Sequence, residues 1–360
     1  MDPLAYKSIQ KHWRMKDSII FCGDLVFPFG CMVDYSDVKQ LFTGKIAVAN
    51  LEGAILPNEK EVEGFKWDDK FSLYSCPNVI NIMEDLNIKY VSLCNNHILD
   101  YKWPIDKTEE LLSKHGIGSF GLSNPDYLDV GVGQKKFFVI TFATYACEHS
   151  LPLFCPVKVI KCINYLKSKW PNCSIAVFPH WGIEKNRFPE PADVSLAHQC
   201  IDAGADIVVG HHPHIVQHIE KYKKKYIIYS IGNFILPQTF YGNRKLTYQD
   251  PFIQNELLVE WDGENVMLHS LYYDVSSNRV LRLNEFPQGS LYEKFTPPMS
   301  RWRYLTLYSD SMKNSDLIFR SRYFATRFEE IRVFLSRKMV RCVRRMLIKL
   351  GLHNPYKQPS

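Results

Sequence analysis

Three features of the sequence predict an α/β fold. Short, nearly continuous apolar runs of strand length recur between Ser18 and Asp274, as in strands that are covered on both faces. Segments with helical periodicity lie between these runs. Hydrophobic residues make up 46% and aromatic residues 14% of the 360, which is typical of a chain with a well-packed interior. The predicted strands are Ser18–Cys22, Ile46–Asn50, Tyr90–Cys94, Ser174–Phe178, Asp206–Gly210 and Tyr226–Ile231.

Start and stop signals predict the helices between these strands. Pro77 suits the first turn of a helix, and Asp106 is a suitable N-cap for another. Gly116 and Gly204 each follow a helical segment, where glycine commonly ends a helix. The predicted helices are Pro77–Leu86, Lys107–His115 and Ala192–Ala203.

The pattern changes after the sixth predicted strand. Phe252–Val259 and Asn265–Tyr273 are predicted as antiparallel strands around a turn at Asp262 and Gly263. Phe324–Leu350 has apolar residues at spacings of three and four and is predicted as one helix. The predicted organisation is an N-terminal extension at 1–17, an α/β domain at 18–274, an irregular extension at 275–318, and a basic amphipathic helix and tail at 319–360.

The positive charge is concentrated near the end of the chain. Residues 320–349 contain ten Lys and Arg but only two acidic residues, so this segment carries +8 and the remainder −2 of the total of +6. A basic amphipathic helix predicts peripheral contact with an anionic membrane, and the alternative is docking on the domain itself or on a partner. The sequence contains no nucleic-acid-binding module, and we expect no nucleic-acid partner.

The cysteines and the first residues indicate the compartment. The ten cysteines form no C-x-x-C pair and several lie in apolar runs, which favours a reducing compartment. The first 18 residues contain no apolar stretch, and no apolar run approaches the ~18 to 20 residues of a membrane helix, so we expect neither a signal peptide nor an anchor. The predicted location is the cytoplasm, with peripheral contact at the inner face of the cytoplasmic membrane.

Polar, metal-capable side chains follow each predicted strand. Ligands of α/β proteins bind outside the carboxyl ends of the strands, where these side chains would converge. Carboxylate, amide and imidazole donors together suit Mn, Fe or Zn better than Ca. The candidates exceed one tetrahedral set, which favours two ions sharing a carboxylate. The candidate donors are Asp24, Glu52, Asn96, His180, His212 and His214, and the polar neighbours expected to support them are Asn50, Asn95, Asp100 and His211.

Six sequence blocks resemble one known family. The chain is similar over about residues 18–260 to the CapA family of bacterial capsule and poly-γ-glutamate biosynthesis proteins, which is related to calcineurin-like metallophosphoesterases. The blocks are GDLVF at 23–27, NLEGAI at 50–55, NNHILDY at 95–101, HWGIE at 180–184, GADIVVGHHPHIVQ at 204–217 and YSIGNFI at 229–235.

The resemblance implies a four-layer αββα sandwich and a role for each matching residue. Asp24 and His214 would bind a first metal, and Glu52 would stand at the bridging position. His97 would be the general acid. Asn96, His180 and His212 would bind a second metal.

Two departures from the wider phosphoesterase pattern affect the expected activity. Asp24 is followed by Leu25 and Val26, so the histidine of the D-x-H motif is absent, and an N-L-E block replaces the usual aspartate. Two functions therefore stay open. One is a metal-dependent hydrolase of capsule or polyglutamate-type polymer metabolism, and the other is a non-catalytic, metal-binding or polymer-binding component of the synthesis machinery. The candidate contacts to an anionic polymer or phosphoester substrate are Glu184, Arg187, Asn233 and Arg244.

Overall fold

Two β-sheets form the centre of the structure. The computed structural model describes residues 18–63, 72–122, 127–132, 135–144, 156–242, 244–247 and 251–284. The strands of the first sheet are β1 (Ile19–Leu25), β2 (Ile46–Leu51), β5 (Ile88–Ser92), β6 (Gly118–Phe120), β13 (Asn233–Ile235), β16 (Asn255–Trp261), β17 (Val266–Asp274) and β18 (Arg279–Leu283). Their order is β18-β17-β16-β1-β2-β5-β6, with β13 also paired to β1.

The second sheet has the order β11-β12-β10-β9-β8-β7. Strands β8, β9, β10 and β12 run parallel to one another, and β7 and β11 are antiparallel edges. Its strands are β7 (Tyr127–Val132), β8 (Lys135–Ala143), β9 (Ser174–His180), β10 (Ile207–Val209), β11 (Ile219–Tyr222) and β12 (Lys225–Ile228). Two short pairs lie outside both sheets: β3 (Ala54–Ile55) with β4 (Tyr74–Ser75), and β14 (Phe240–Tyr241) with β15 (Arg244–Lys245).

Alternation along the strands explains why the two sheets pack face to face. In β1, Ile19 and Phe21 join the apolar cluster between the sheets, whereas Ile20 and Cys22 join a cluster on the outer face of the first sheet. Successive side chains of a strand point to opposite faces, so a continuous apolar run fills both clusters. Phe21 meets Phe178 of the second sheet with ring centroids 5.4 Å apart.

Helices cover the outer face of each sheet. Their bounds are α1 (Glu59–Glu63), α2 (Val79–Asp85), α3 (Ile105–Lys114), α4 (Pro156–Lys169) and α5 (Pro191–Asp202), and single 3₁₀ turns span Lys39–Phe42 and Pro251–Gln254. Apolar residues of α2 and α3 belong to the outer cluster of the first sheet. Those of α4 and α5 belong to the outer cluster of the second sheet. The architecture is the expected four-layer αββα sandwich, and the fold class is confirmed.

All eight predicted strands and the three helices predicted within the described residues exist, with ends that shift by a few residues. The helix expected to begin after Asp106 begins at Ile105 with Pro104 as its N-cap, so Asp106 lies in the first turn, where its charge favours the helix dipole. The sequence analysis missed β7, β8 and α4, although residues 137–143 form a nearly continuous apolar run.

The region predicted to be irregular after residue 274 contains a strand. Five residues, Arg279–Leu283, form β18 and extend the first sheet beyond β17. Its mixed polarity fits an edge strand with one solvated face, which the continuous-run criterion does not detect. The N-terminal extension, most of 275–318 and the basic helix at 319–360 lie outside the described residues, so the domain division stays a prediction. No helix in the described ranges is long and apolar enough to span a bilayer.

Candidate metal centre

The carboxyl ends of β1, β2, β5, β9 and β10 meet at one edge of the sandwich. Parallel strands within each sheet end on the same side, and the stacking of the two sheets brings both sets of loops together. Asp24 lies in β1, Glu52 follows β2, and His180 ends β9. The side chains of all three are fully buried.

A first group of donors joins the two sheets. Its members are Asp24, His180 and His211, and one donor atom of each lies within 4.8 Å of the others. The Nδ1 atom of His211 lies 2.9 Å from Oδ1 of Asp24 and 3.0 Å from Nδ1 of His180. The group therefore contains one carboxylate and two imidazoles.

A second group has the same composition. Glu52, His212 and His214 bring one carboxylate and two imidazoles together, again within 4.8 Å. The two groups are close, because Nε2 of His180 lies 3.7 Å from Oε1 of Glu52 and Nδ1 of His214 lies 3.5 Å from Oδ2 of Asp24. All six side chains lie at this one edge of the sandwich and form a continuous cluster.

The loop after β10 has an unusual backbone that presents its histidines to the cluster. His212 and His214 have φ values of 98° and 59°, a region that non-glycine residues rarely occupy. The N–H of His212 donates to Oδ2 of Asp24 at 3.2 Å. The residue before the loop, Gly210, has no room for a side chain, because a Cβ there would lie 2.3 Å from Nε1 of Trp181. Strained backbone of this kind is concentrated at functional sites.

A chain of amides fixes Asp24 from the side of the first sheet. Asn50 donates to Oδ1 of Asp24 at 2.8 Å, and Asn95 donates to Oδ1 of Asn50 at 3.1 Å and to the carbonyl of Leu51 at 2.8 Å. Oδ1 of Asn95 then accepts from the N–H of His97 at 3.1 Å. Both asparagines are fully buried, so they support the carboxylate and the loop after β5 from within the protein.

His97 and Asp100 form a buried pair beside the cluster. Nδ1 of His97 contacts Oδ2 of Asp100, which also accepts the N–H of Leu73 at 3.0 Å. Asn96 lies between this pair and the donors, with Oδ1 2.6 Å from Nε2 of His180. Because Asp100 contacts Nδ1, the Nε2 atom of His97 is the nitrogen left for another partner.

Burial favours the neutral form of His180 and His212, and the interactions around Asp24 favour its ionised form. Burial lowers the pKa of His180 well below its usual range, and the nearby His212 and His211 lower it further. Burial also lowers the pKa of His212 to about 3. Burial alone would raise the pKa of Asp24, but the hydrogen bond from His211 and the neighbouring His211 and His214 lower it below its usual value. Neutral imidazole and ionised carboxylate are the forms that bind metals.

The donor set therefore fits a divalent metal. Two carboxylates at 0% exposure carry a desolvation cost of several kcal/mol each, which a cation bound between them would offset. Four imidazoles with two carboxylates match the mixed N/O preference of Mn, Fe and Zn.

The four predicted substrate contacts lie in different places. Glu184 is exposed to solvent. The surrounding protein would raise the pKa of its carboxyl group, but the imidazoles of His214, His212 and His97 lower that pKa to about 2. The guanidinium of Arg187 stacks on Phe252, with Cζ 3.9 Å from the ring centroid. Asn233 is buried, and its Oδ1 atom lies 2.8 Å from Nδ1 of His214. Arg244 lies in β15, paired with Tyr241 of β14.

Two features of the centre were not evident from the motifs. Val26, at the position of the missing D-x-H histidine, is fully buried in the outer cluster of the first sheet. His211, expected as a supporting residue, places its Nδ1 atom 2.9 Å from Oδ1 of Asp24 and belongs to the first group. The signal for His211 was its place next to His212 in the Gly-His-His-Pro-His motif, but a linear motif does not give the direction of a side chain.

Comparison with known proteins agrees with the resemblance in the motifs. The chain is 28% identical over 191 residues to the PGA biosynthesis protein CapA of Bacillus subtilis, a match that covers 48% of each chain. It is 29% identical over 213 residues to the capsule biosynthesis protein CapA of Bacillus anthracis, covering 52% of this chain and 50% of that one. The chain thus spans about half the length of these relatives.

The chain is also similar to a solved structure and to a family of known proteins. The sulfate thiohydrolase SoxB of Thermus thermophilus aligns with a TM-score of 0.41 and 12% identity, over 86% of this chain and 63% of that one. The profile of the bacterial capsule synthesis protein family PGA_cap matches residues 10–145 and 157–238. These matched segments include every candidate donor and more than half of the sequence, so the chain belongs to the PGA_cap family of bacterial capsule synthesis proteins.

Proposed function

We propose that this protein is a metal-dependent hydrolase of surface-polymer biosynthesis, acting on a poly-γ-glutamate-type polymer or a phosphoester precursor. The observation that carries the proposal is the pair of buried donor groups, each within 4.8 Å, at the edge where strand ends from both sheets meet. The capsule and PGA biosynthesis relatives support the polymer context. By the same reasoning, its partners are other components of the polymer synthesis machinery.

Among the members of the two groups, the residues that the sequence predicted to hold divalent metal are Asp24 and His180 in the first and Glu52, His212 and His214 in the second. A bound Mn, Fe or Zn ion supplies water activation and stabilisation of a developing oxyanion. The asparagines behind Asp24 hold its carboxylate in one orientation, because Asn50 and Asn95 are linked to each other by hydrogen bonds. Asn96 is proposed as a further ligand, and its Oδ1 atom lies 2.6 Å from Nε2 of His180.

His97 is the proposed proton donor to the leaving group. Its Nδ1 atom contacts Asp100, which fixes the ring and leaves Nε2 for the substrate. This arrangement resembles the orientation of a catalytic imidazole by a carboxylate in other hydrolases. Arg187 and Arg244 are proposed to bind anionic groups of the substrate, since guanidinium pairs well with carboxylate and phosphate.

A non-catalytic role is the second candidate, and Val26 favours it. A fully buried valine occupies the position where a D-x-H motif would supply an imidazole. A protein of this kind would bind metal and polymer and organise the synthesis machinery without turnover. The two functions differ in a measurable way, because both require metal but only one requires His97.

Metal analysis paired with a substrate screen tests the proposal. Purified protein should contain divalent metal and hydrolyse at least one phosphoester or γ-glutamyl amide. His180→Ala and His212→Ala should lower metal content while the fold survives, and His198→Ala should not, because His198 stacks on Tyr222 away from the cluster. Unchanged metal in both site variants would refute the donor assignment. Metal binding without hydrolysis of any substrate would favour the non-catalytic role.

A further inference from the structure

The backbone of His211, just beyond the end of β10, is hydrogen-bonded on both sides. Its N–H donates to the carbonyl of Pro179 at 3.1 Å, and its own carbonyl accepts from Trp181 at 3.2 Å. These bonds continue the parallel pairing of β10 with β9 through a bridge between His180 and His211. The backbone of His211 is therefore hydrogen-bonded to the end of β9, whereas the left-handed turn begins one residue later.

The two nitrogens of the His211 ring have different surroundings. Nδ1 contacts Oδ1 of Asp24 at 2.9 Å and Nδ1 of His180 at 3.0 Å. Nε2 is buried and has no hydrogen-bond partner among the described residues. The ring packs against Phe178, with centroids 4.3 Å apart. Only Nδ1 thus faces the other donors.

We propose that His211 is a metal ligand through Nδ1 and supplies, from β10, the imidazole that the loop after Asp24 lacks. The inference rests on the proposed metal centre. Asp24 and His180 alone would form a two-ligand group, and Val26 is buried in an apolar cluster away from any donor role. With His211, each group becomes one carboxylate with two imidazoles, a set that holds catalytic metals while leaving positions open for water and substrate.

Matched substitutions separate a ligand from a supporting residue. Asn places its amide near the position of Nδ1 in histidine, and Gln places it near Nε2. If Nδ1 is the ligating atom, His211→Asn should retain part of the affinity and His211→Gln should behave like His211→Ala. His198→Gln is the control, since His198 bonds Glu220 at 2.9 Å outside the cluster.

The measurement is metal stoichiometry and affinity on the full chain, by elemental analysis and competition with a chelator of known affinity. We expect two ions in the wild type and in His198→Gln. We expect one tightly bound ion in His211→Ala and His211→Gln, with the other site weakened more than the ~10- to 100-fold typical of losing a supporting residue. In the Co²⁺ form, NMR of paramagnetically shifted imidazole N–H protons should show one signal fewer in every His211 variant.

Three results would overturn the inference. Two ions bound at wild-type affinity in all His211 variants would reject His211 as a metal ligand and would leave the proposed function intact. A loss within ~10- to 100-fold that is equal for Asn and Gln would identify His211 as a positioning residue instead. Absence of metal from the folded wild type would reject both this inference and the proposed function. Circular dichroism checks that each variant folds. If His211→Ala does not fold, His211→Asn takes its place in the comparison with the wild type.

Discussion

The left-handed backbone at His212 yields a prediction that separates strain from side-chain chemistry. His212→Gly and His212→Ala both remove the imidazole and both should lose metal, so their difference reports the backbone alone. At a φ of 98°, alanine retains the steric conflict and glycine does not. The expected order of stability, glycine above alanine, is the reverse of the order in ordinary helix or strand.

The size of the difference follows from two opposing effects. Holding a non-glycine residue in a sparsely populated φ/ψ region costs about 1 to 3 kcal/mol of stability. Glycine avoids this cost, but its greater flexibility in the unfolded chain lowers the stability by about 0.4 to 1 kcal/mol. The glycine variant should therefore be more stable than the alanine variant by about 0.5 to 2 kcal/mol. At about 2 to 4 °C per kcal/mol for a domain of this size, the shift in Tm is measurable.

The assay is thermal and urea unfolding of both variants after treatment with a chelator, so that metal binding does not contribute. Gln199 provides a matched control, because it is exposed within α5 at an ordinary helical position. There, Gln199→Gly should be less stable than Gln199→Ala by about 1 kcal/mol. An alanine variant at position 212 that equals or exceeds the glycine variant would refute the strained backbone and its proposed role in presenting the histidines.

Three further predictions concern catalysis, pH and the basic segment. His97→Ala should keep its metal and lose about 10²- to 10⁴-fold in turnover, and undiminished turnover would exclude His97 as the general acid. Burial lowers the pKa of His218 to about 3, so its contribution to stability is present above pH 6.5 and is lost as the pH falls from there toward 3. Between pH 7.5 and 5.5, metal-free wild type should lose about 1.4 kcal/mol more than His218→Phe in urea unfolding, and equal losses would contradict the buried neutral imidazole. For the predicted helix within 319–360, the full chain should cosediment with anionic vesicles in a salt-sensitive manner, at ~1 kcal/mol per basic residue near the surface. A chain ending at Asp316 should bind less, and equal binding would exclude this segment as the membrane contact.

The apolar runs and the residues that follow them determined much of this protein without reference to tertiary contacts. A continuous run such as Ile19–Cys22 can be satisfied only when both faces are covered, because its side chains alternate between the cluster shared by the two sheets and the outer one. Polar residues placed after such runs must converge when the strands are parallel. The sequence alone therefore predicted the strands, the single edge of the fold at which their carboxyl ends meet, and the chemical types of the donor side chains at that edge.

Only the tertiary structure decided which donors belong together. Asp24 and His211 are separated by 187 positions and lie in different sheets, so no local pattern relates them. Their contact depends on how the two sheets stack and on which way each ring turns, and packing of His211 on Phe178 settles the latter. The burial of Val26 and the placement of Asn233 behind His214 follow from the same long-range packing. Local periodicity fixes which residues reach an edge, whereas side-chain direction and partner choice depend on contacts between segments distant in sequence.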